Sequence, residues 1–316
     1  MTIRLGVVMD PIGSINYKKD STLAMLWEAN ARQWEIYYFE PGDLFMLDGV
    51  AYGNARRLSV SLDDTCWHHF QSQSIMPLAE LEVMLMRKDP PFNEKYFYAT
   101  YILEHAQQNG VLVVNNPHAL RDFNEKFSIT YFPQCTPPTL VTQSIAQLYA
   151  FWRTQRDIVC KPLNTMGGYS IFHLKENDVN APVVFDLLTQ QQSVHIMAQK
   201  FIPAIKEGDK RILMINGKPF PHLLARVPQG NDWRGNLAVG AKGEVKPLSE
   251  RDEWICNEVG PFLYKNGIYF AGLDVIGEYL TEINITSPTG VREIDAGTGM
   301  NVSAMLLDVI EAKLAL

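Results

Sequence analysis

Near the end of the chain, Asp274, Glu282 and Asn284 form the most specific chemical pattern in the sequence. Glu282 and Asn284 stand two apart in a run that predicts a strand, so both side chains point to one face. A hairpin turn around residues 277–279 sets Asp274 across from them, and one step of register would undo that arrangement. Two carboxylates and an amide oxygen are hard donors of the kind Mg²⁺ takes, with positions left over for phosphate oxygens and water. The same residues also fit an exposed hairpin edge carrying solvated acids. The apolar neighbours Leu280, Ile283 and Ile285 favour the metal site.

A second pattern is Lys161-Pro162 followed by Met166-Gly167-Gly168. Backbone N–H groups freed by paired glycines can close over a phosphate, and a lysine at the end of the preceding strand can reach it. The spacing is not that of a P-loop, and an ordinary turn would explain the glycines as well. A third set is basic: Lys126, Arg211, Arg226 and Arg234. Any one of these alone would read as solvated surface. As a set beside a hard-metal site, spread over two lobes, they could close on a polyphosphate. No Gly-x-Ser-x-Gly elbow and no Cys–His catalytic context is present, and the histidines show no metal-ligand spacing. That no protein nucleophile is evident fits a reaction in which the substrate's own carboxylate attacks.

These residues need elements to carry them. Residues 5–9 read as a buried strand ending at Asp10-Pro11, and Asp20 reads as the cap of a helix with Leu23, Leu26, Trp27 and Trp34 on its apolar face. Residues 35–39 form a second strand, and Asp48-Gly49 between apolar runs signals a hairpin. His68-His69 falls in a polar segment read as helical. A strand at residues 81–86 delivers Arg87 and Asp89 to its C-terminal end. A helix over residues 94–109, capped by Asn93 and stopped at Gly110, leads into a strand at 111–114. Strands alternating with helices imply a mainly parallel α/β lobe over residues 1–124, with ligands expected beyond the carboxyl ends of the strands. A central lobe, residues 125–201, holds a helix with Ile145, Leu148, Phe151 and Trp152 on one face, strands at 157–160, 169–174 and 194–201, and the glycine-bearing loop. The last lobe, residues 202–316, has strand pairs at 211–215/219–224, joined through Asn216-Gly217, and at 273–276/280–285. Between those pairs, residues 228–243 are rich in Gly and Asn and lack apolar periodicity.

Composition sets the outer limits. The chain has 316 residues, enough for two or three lobes with sizeable cores, and a formal net charge of −7, which argues against nucleic acid or an anionic membrane as the main partner. Its four cysteines are widely separated, as expected of reduced thiols in a cytoplasmic protein. No apolar segment approaches the length that spans a bilayer.

The segments MDPIGSINYKKDST, LMRKDPPFNEKYFYATYILE, KPLNTMGG, AIKEGDKRILMINGKP, ARVPQG..RGNLAVG and DVIGEYLTEINITSPTG.RE follow one another in an order and spacing that resembles the bacterial glutathione synthetases along nearly the whole chain. The resemblance implies an ATP-grasp architecture: an N-terminal parallel-sheet α/β lobe followed by two α+β lobes clasping ATP. It implies ATP-dependent joining of γ-glutamylcysteine to glycine through an acyl phosphate, with Mg²⁺, or Mn²⁺ in its place, on Asp274, Glu282 and Asn284. Lys126 and Lys161 match the phosphate-contacting lysines, and Gly167-Gly168 the small glycine-rich loop. Gln199, Phe201 and Ile202 match the segment that holds adenine, and Asp209 lies where a ribose contact is expected. Arg211 and Arg226 match positions near the γ-phosphate and the activated carboxyl, and Arg234 sits in a lid formed by residues 228–243. Asp10, Arg87 and Asp89 in the first lobe, with Ser287, Thr289 and Arg292 in the last, are candidates for substrate contact by position and general resemblance. A homo-oligomer, a tetramer, also follows only from the resemblance. Two departures stand out. Asn164-Thr165 replaces the usual Asp-Gly in the small loop, and Gly240-Ala241 replaces the usual Gly-Gly in the lid, so altered rates are expected rather than a lost reaction. Another ATP-grasp carboxylate–amine ligase and a non-catalytic ATP-binding protein on the same fold are the competing readings.

Overall fold

The computed structural model describes residues 2–229 and 242–315. The first sheet grows from two short buried strands, β1 (Arg4–Val8) and β2 (Glu35–Phe39), which pair in parallel around the helix α1 (Ser21–Ala31). Asp20 caps that helix by accepting from the Leu23 N–H at 2.6 Å. Trp34 lies past the end of α1, and reaches the core from the turn instead. The chain then adds β3 (Leu44–Leu47), β4 (Val50–Val60), β5 (His68–Pro77) and β6 (Val83–Met86). Helix α2 (Glu94–Gln108), capped by Asn93, precedes β7 (Leu112–Val114) and α3 (Pro117–Asp122).

The seven-stranded sheet runs β3-β4-β2-β1-β6-β7, with β5 paired to β4. Its β2-β1-β6-β7 half is parallel, and its other half is antiparallel through the long β4/β5 hairpin. The parallel reading therefore describes half of this sheet, the half that carries Asp10 and Arg87. His68 and His69 open a strand, not a helix: β5 is an edge strand with an exposed Gln/Ser face, and it lacks the apolar alternation that marks a strand in sequence.

The central sheet has order β10-β9-β11-β8. Its elements are β8 (Thr139–Thr142), α4 (Ile145–Gln155), β9 (Ile158–Pro162), β10 (Phe172–Leu174), α5 (Ala181–Thr189) and β11 (Ile196–Lys200). The glycine-bearing loop joins β9 to β10, and Tyr169 stands exposed in that loop rather than on the strand.

The last sheet, β14-β13-β12-β15-β16, is built from β12 (Asp209–Ile215), β13 (Lys218–Val227), β14 (Lys242–Pro247), β15 (Phe270–Ile276) and β16 (Tyr279–Asn284). Helix α6 (Glu250–Lys265) covers one face, and α7 (Val291–Thr298) and α8 (Val302–Leu314) follow β16. Helix α8 turns back onto α1, where Arg32 bonds Asp308 and Glu311.

All three hairpins that the sequence marks are present, at Asp48-Gly49, Asn216-Gly217 and residues 277–279. Asn216 and Gly217 turn β12 into β13 with φ values of 50° and 77°, the left-handed pair a two-residue turn requires. Gly217 also lies against Gly260 of α6 so closely that a Cβ at residue 260 would overlap the Gly217 carbonyl oxygen. Gly260→Ala is therefore expected to lower stability by about 1–2 kcal/mol, because backbone overlap outweighs the roughly 1 kcal/mol that alanine gains in a helix. A urea midpoint that falls with an unchanged denaturant slope would bear this out; a rise in the midpoint would show that α6 can shift away.

Candidate active site

Between the central and last sheets lies a cleft with about 800 Å³ of open space. Lys126, Lys161, Gly167, Gly168, Gln199, Phe201, Ile202 and Asp209, all the residues assigned to ATP on sequence grounds, line it, and Val159, Ile171 and Ile276 supply apolar wall. The strands explain the convergence. Lys161 near the end of β9 pairs with Met197 of β11, so the side chains of β9 and the residues leaving β11 reach the same mouth. Phe201 is held by its N–H on the Asp157 carbonyl at 2.9 Å and by the ring of His173, stacked at 3.8 Å. Gly167 and Gly168 take φ values of 66° and 78°, so their backbone adopts a form that side chains resist.

Charge is concentrated where that cleft meets the last sheet. Asp274 and Glu282 are direct cross-strand partners in the β15/β16 hairpin, and Gly272 faces Asn284, so the register that puts these donors together holds. Asp274 is buried and accepts from Arg211 Nε at 2.6 Å and Arg211 Nη2 at 3.1 Å, with Arg226 Nη2 at 3.0 Å. Burial works to raise its carboxyl, but the two guanidiniums overcome that and hold it below the usual carboxylate range. Arg226 Nη2 also bonds Asp209 at 2.6 Å. Burial pushes the Asp209 carboxyl up, against the pull of Arg226, and its Oδ1 is a buried oxygen with no hydrogen-bond partner among the described residues. A ligand hydroxyl at that point would satisfy it.

The lysines differ in kind. Lys126 bridges Glu282 at 3.0 Å and donates to the Thr165 carbonyl, which fastens the glycine-bearing loop to the β15/β16 hairpin. Burial alone would lower its ammonium, yet Glu282 raises it overall. Lys161 donates to the Thr281 carbonyl at 3.1 Å and has no carboxylate within ion-pair distance among the described residues. Burial pushes it down to about 8, with Glu282 opposing. In the same loop the Thr165 hydroxyl donates to the Tyr169 carbonyl at 3.3 Å, within the segment where Asn164-Thr165 stands.

A second cavity, about 830 Å³, shares Gly167, Asp274 and Glu282 with the first and continues to Asp89, Arg211, Arg226, Asn284, Ser287 and Thr289. The acids thus form the wall between a nucleotide-sized cleft and a space beside two buried guanidiniums. Three substrate candidates lie elsewhere. Arg87 is buried beneath the loop that follows β16, bonding Thr22 Oγ1 and the Pro288 carbonyl. Arg292 donates to the Tyr17 carbonyl at 2.9 Å and covers the Trp27 ring. Asp10 pairs with Lys88 at 2.9 Å in a separate groove and accepts from the Asp89 N–H. Arg234 and Gly240-Ala241 lie outside the described residues. Sequence reasoning passed over Glu125 and His173. Only the neighbouring Lys126 hinted at the first, and no local pattern marks the second.

Among the described residues no group of three or more His, Cys, Asp or Glu is arranged to hold a metal. The donor set here is instead two carboxylates and one amide, which suits a hard cation that completes its shell with phosphate oxygens and water. Asp274, Glu282 and Asn284 fit Mg²⁺ on those grounds.

The chain matches two family models in succession: the prokaryotic glutathione synthetase N-terminal domain over residues 3–121 and the prokaryotic glutathione synthetase ATP-grasp domain over residues 125–299. It is 54% identical to the glutathione synthetase of Pseudomonas aeruginosa, covering 100% of this chain and 99% of that one. It is 51% identical to the glutathione synthetase of Escherichia coli K12, with 99% of each chain covered. Among solved structures, the ATP-grasp ligase PsnB, bound to a phosphomimetic variant of its minimal precursor with Mg and ADP, superposes with a TM-score of 0.66 at 16% identity, covering 99% of each chain. At that identity the likeness speaks for the fold.

Proposed function

The chain belongs to the prokaryotic glutathione synthetase family, and from that premise we infer how its residues join γ-glutamylcysteine to glycine with ATP to give glutathione, ADP and phosphate. The observation that carries the assignment of roles is the shared wall: Asp274 and Glu282 border both the nucleotide-sized cleft and the cavity beside Arg211 and Arg226. ATP occupies the first, with its base against the residues 199–202 and its ribose at Asp209. Its phosphates lie toward Lys126, Lys161 and the Gly167-Gly168 backbone.

The C-terminal carboxylate of γ-glutamylcysteine attacks the γ-phosphorus, the bond to ADP breaks, and an acyl phosphate forms. The amine of glycine, having given up a proton, then attacks the acyl carbon. The tetrahedral adduct collapses and expels phosphate. No protein group enters a covalent bond, so the rate comes from positioning and from charge held in place in advance. Mg²⁺ on Asp274, Glu282 and Asn284, with Mn²⁺ as an alternative, supplies neutralisation of the phosphate charge when bound. Arg211 and Arg226 face the carboxyl being activated, and Ser287, Thr289 and Asp89 bind substrate from the far side of that cavity. The sequence of residues 228–243, with Arg234, suits a lid that keeps water from the acyl phosphate. Among the described residues no helix is long and apolar enough to cross a membrane. Family membership supports a cytoplasmic homo-oligomer, a tetramer.

The deciding assay is phosphate release from ATP with Mg²⁺, with γ-glutamylcysteine and glycine added singly and together. Release that needs both, matched one-to-one by glutathione, is expected. Release only with another acid and amine would shift the substrate, and ATP binding without release on any pair would leave a non-catalytic nucleotide-binding protein.

Lys161 gives this reading a pH signature. Only the protonated amine attracts the polyphosphate, so binding raises its pKa above the free-enzyme value of about 8. Below that value the free enzyme already carries the proton and affinity is flat. Above it the free enzyme has lost the proton, and ATP must bind together with one. The dissociation constant is therefore expected to rise about tenfold between pH 7 and pH 9, a rise that Lys161→Met abolishes. Calorimetric titration across this range checks it, and a flat constant in the unaltered protein would remove Lys161 from the phosphate site.

A further inference from the structure

Glu125 lies in the link between the first sheet and the central lobe, and the reaction described above gives it no task. Its contacts are unusual for a link residue. Its backbone carbonyl accepts from the Ile283 N–H at 2.9 Å. Its Oε1 accepts three bonds: from Ile285 N–H at 2.8 Å, from Thr286 N–H at 2.9 Å and from Thr286 Oγ1 at 2.9 Å. It thus brackets Asn284 from both sides, while the next residue, Lys126, holds Glu282. Asn115 fixes the same point from below, donating to the Ile285 carbonyl at 2.7 Å. The chain beyond runs through residues 287–289, where Arg87 binds the Pro288 carbonyl and Arg211 the Thr289 carbonyl. Those two guanidiniums hold the far end of the loop, and Glu125 holds its start.

We propose that Glu125 is a positioning residue for the reaction: by gathering three donors onto one carboxylate oxygen it sets where residues 284–289 stand, and so fixes the affinity of the cavity beside Arg211 for the peptide and amine substrates. The physical reason is that an extended segment leaving a sheet edge has no ladder to hold it, and its freed N–H groups need acceptors. A carboxylate can accept several bonds at once and makes each stronger than a neutral acceptor would. Lys126, next in sequence, is among the groups that feel the charge of Glu125. The nucleotide cleft is lined by Lys126 and by residues of the central and last sheets but not by Glu125, which lines the cavity beside Arg211. Its loss is therefore felt on one side of the Asp274–Glu282 wall and not on the other.

The inference rests on the reading of Ser287 and Thr289 as substrate contacts, and the experiment separates the two. Glu125→Ala, Glu125→Gln, Thr286→Val and the double variant Ser287→Ala/Thr289→Ala are compared by KM for each substrate, by kcat, and by ADP affinity without divalent metal. Glu125→Ala is expected to raise KM for γ-glutamylcysteine or glycine at least about tenfold with ADP affinity unchanged, whereas Glu125→Gln, which still offers an acceptor oxygen, stays within about threefold. Thr286→Val, which removes one of the three bonds, is expected to fall between them and serves as the test if Glu125→Ala does not fold. If the double variant raises KM and neither Glu125→Ala nor Thr286→Val does, Glu125 does not position the loop. If the double variant leaves KM unchanged, the substrate reading of the loop falls and takes the proposal with it. ADP affinity falling in step with KM, or Glu125→Gln as impaired as Glu125→Ala, would overturn the proposal as well.

Discussion

Asp274→Asn is expected to lower kcat for glutathione formation by about 10²–10³-fold or more while the protein stays folded. Asn keeps the shape of the side chain but changes what its two ends can do. In the unaltered protein one oxygen accepts Arg211 Nε, and the other accepts both Arg211 Nη2 and Arg226 Nη2. An amide can keep its oxygen at the two-donor end; at the other its NH₂ group then meets the Arg211 Nε–H donor. Removing one partner from a buried ion pair costs about 3–5 kcal/mol when nothing replaces it. Here Asp209 still holds Arg226 and the Thr289 carbonyl still holds Arg211, so the cost is expected below that range. Activity is expected to fall further than stability, because on the proposed reading the same carboxylate is an oxygen donor for the cation beside Glu282. Steady-state kinetics with a Mg²⁺ titration, run beside urea unfolding, separates the two effects. A kcat within tenfold of the original at saturating Mg²⁺ would remove Asp274 from the metal site.

Much of this arrangement can be read from the sequence, for reasons that differ between elements. The hairpins at Asn216-Gly217 and Gly277 are short-range: their residues adopt positive φ, and once the turn is set the register brings Asp274 opposite Glu282 without further information. The caps at Asp20 and Asn93 are equally local. The residues that the resemblance assigns to ATP are gathered by the fold because β9, β11, β12 and β16 all direct side chains to one cleft. Long-range features left no such trace. The β4/β5 hairpin is hidden because the polar face of an edge strand carries no period. Arg87 stands at the end of its strand as expected, yet its fully buried side chain turns under the loop after β16, a direction set by a segment two hundred residues later. Glu125 is in the same position: its three donors come from residues 285 and 286, and nothing near it in sequence announces them.

Arg226 lines the cavity beside the shared Asp274–Glu282 wall, and on the proposed mechanism its loss should divide the two chemical steps. The guanidinium is buried, and Asp209 and Asp274 outweigh that burial and raise it further, so it stays charged at every working pH. One face is occupied by the two carboxylates and the side chain lines the substrate cavity. Charge appears on the acyl oxygen as glycine's amine adds, and a donor fixed there in advance contributes about 10²–10³ in rate, roughly 2.7–4 kcal/mol. Arg226→Ala is expected to reduce ligation by that factor with ADP affinity nearly unchanged, because Asp209 can take up a proton once its partner is gone. Arg226→Lys is expected to recover little, since one ammonium cannot serve two carboxylates and a substrate oxygen from a single point. Hydroxylamine in place of glycine reports the first step through the hydroxamate it forms with the acyl phosphate. If Arg226 acts on the addition, the hydroxamate made per ATP consumed falls while phosphate stays at one per ATP, because the acyl phosphate forms but is lost to water while it waits for its amine. If ATP consumption itself falls in proportion to product, Arg226 acts instead on phosphoryl transfer, and the oxyanion role passes to Arg211 or to Arg234 in the lid sequence.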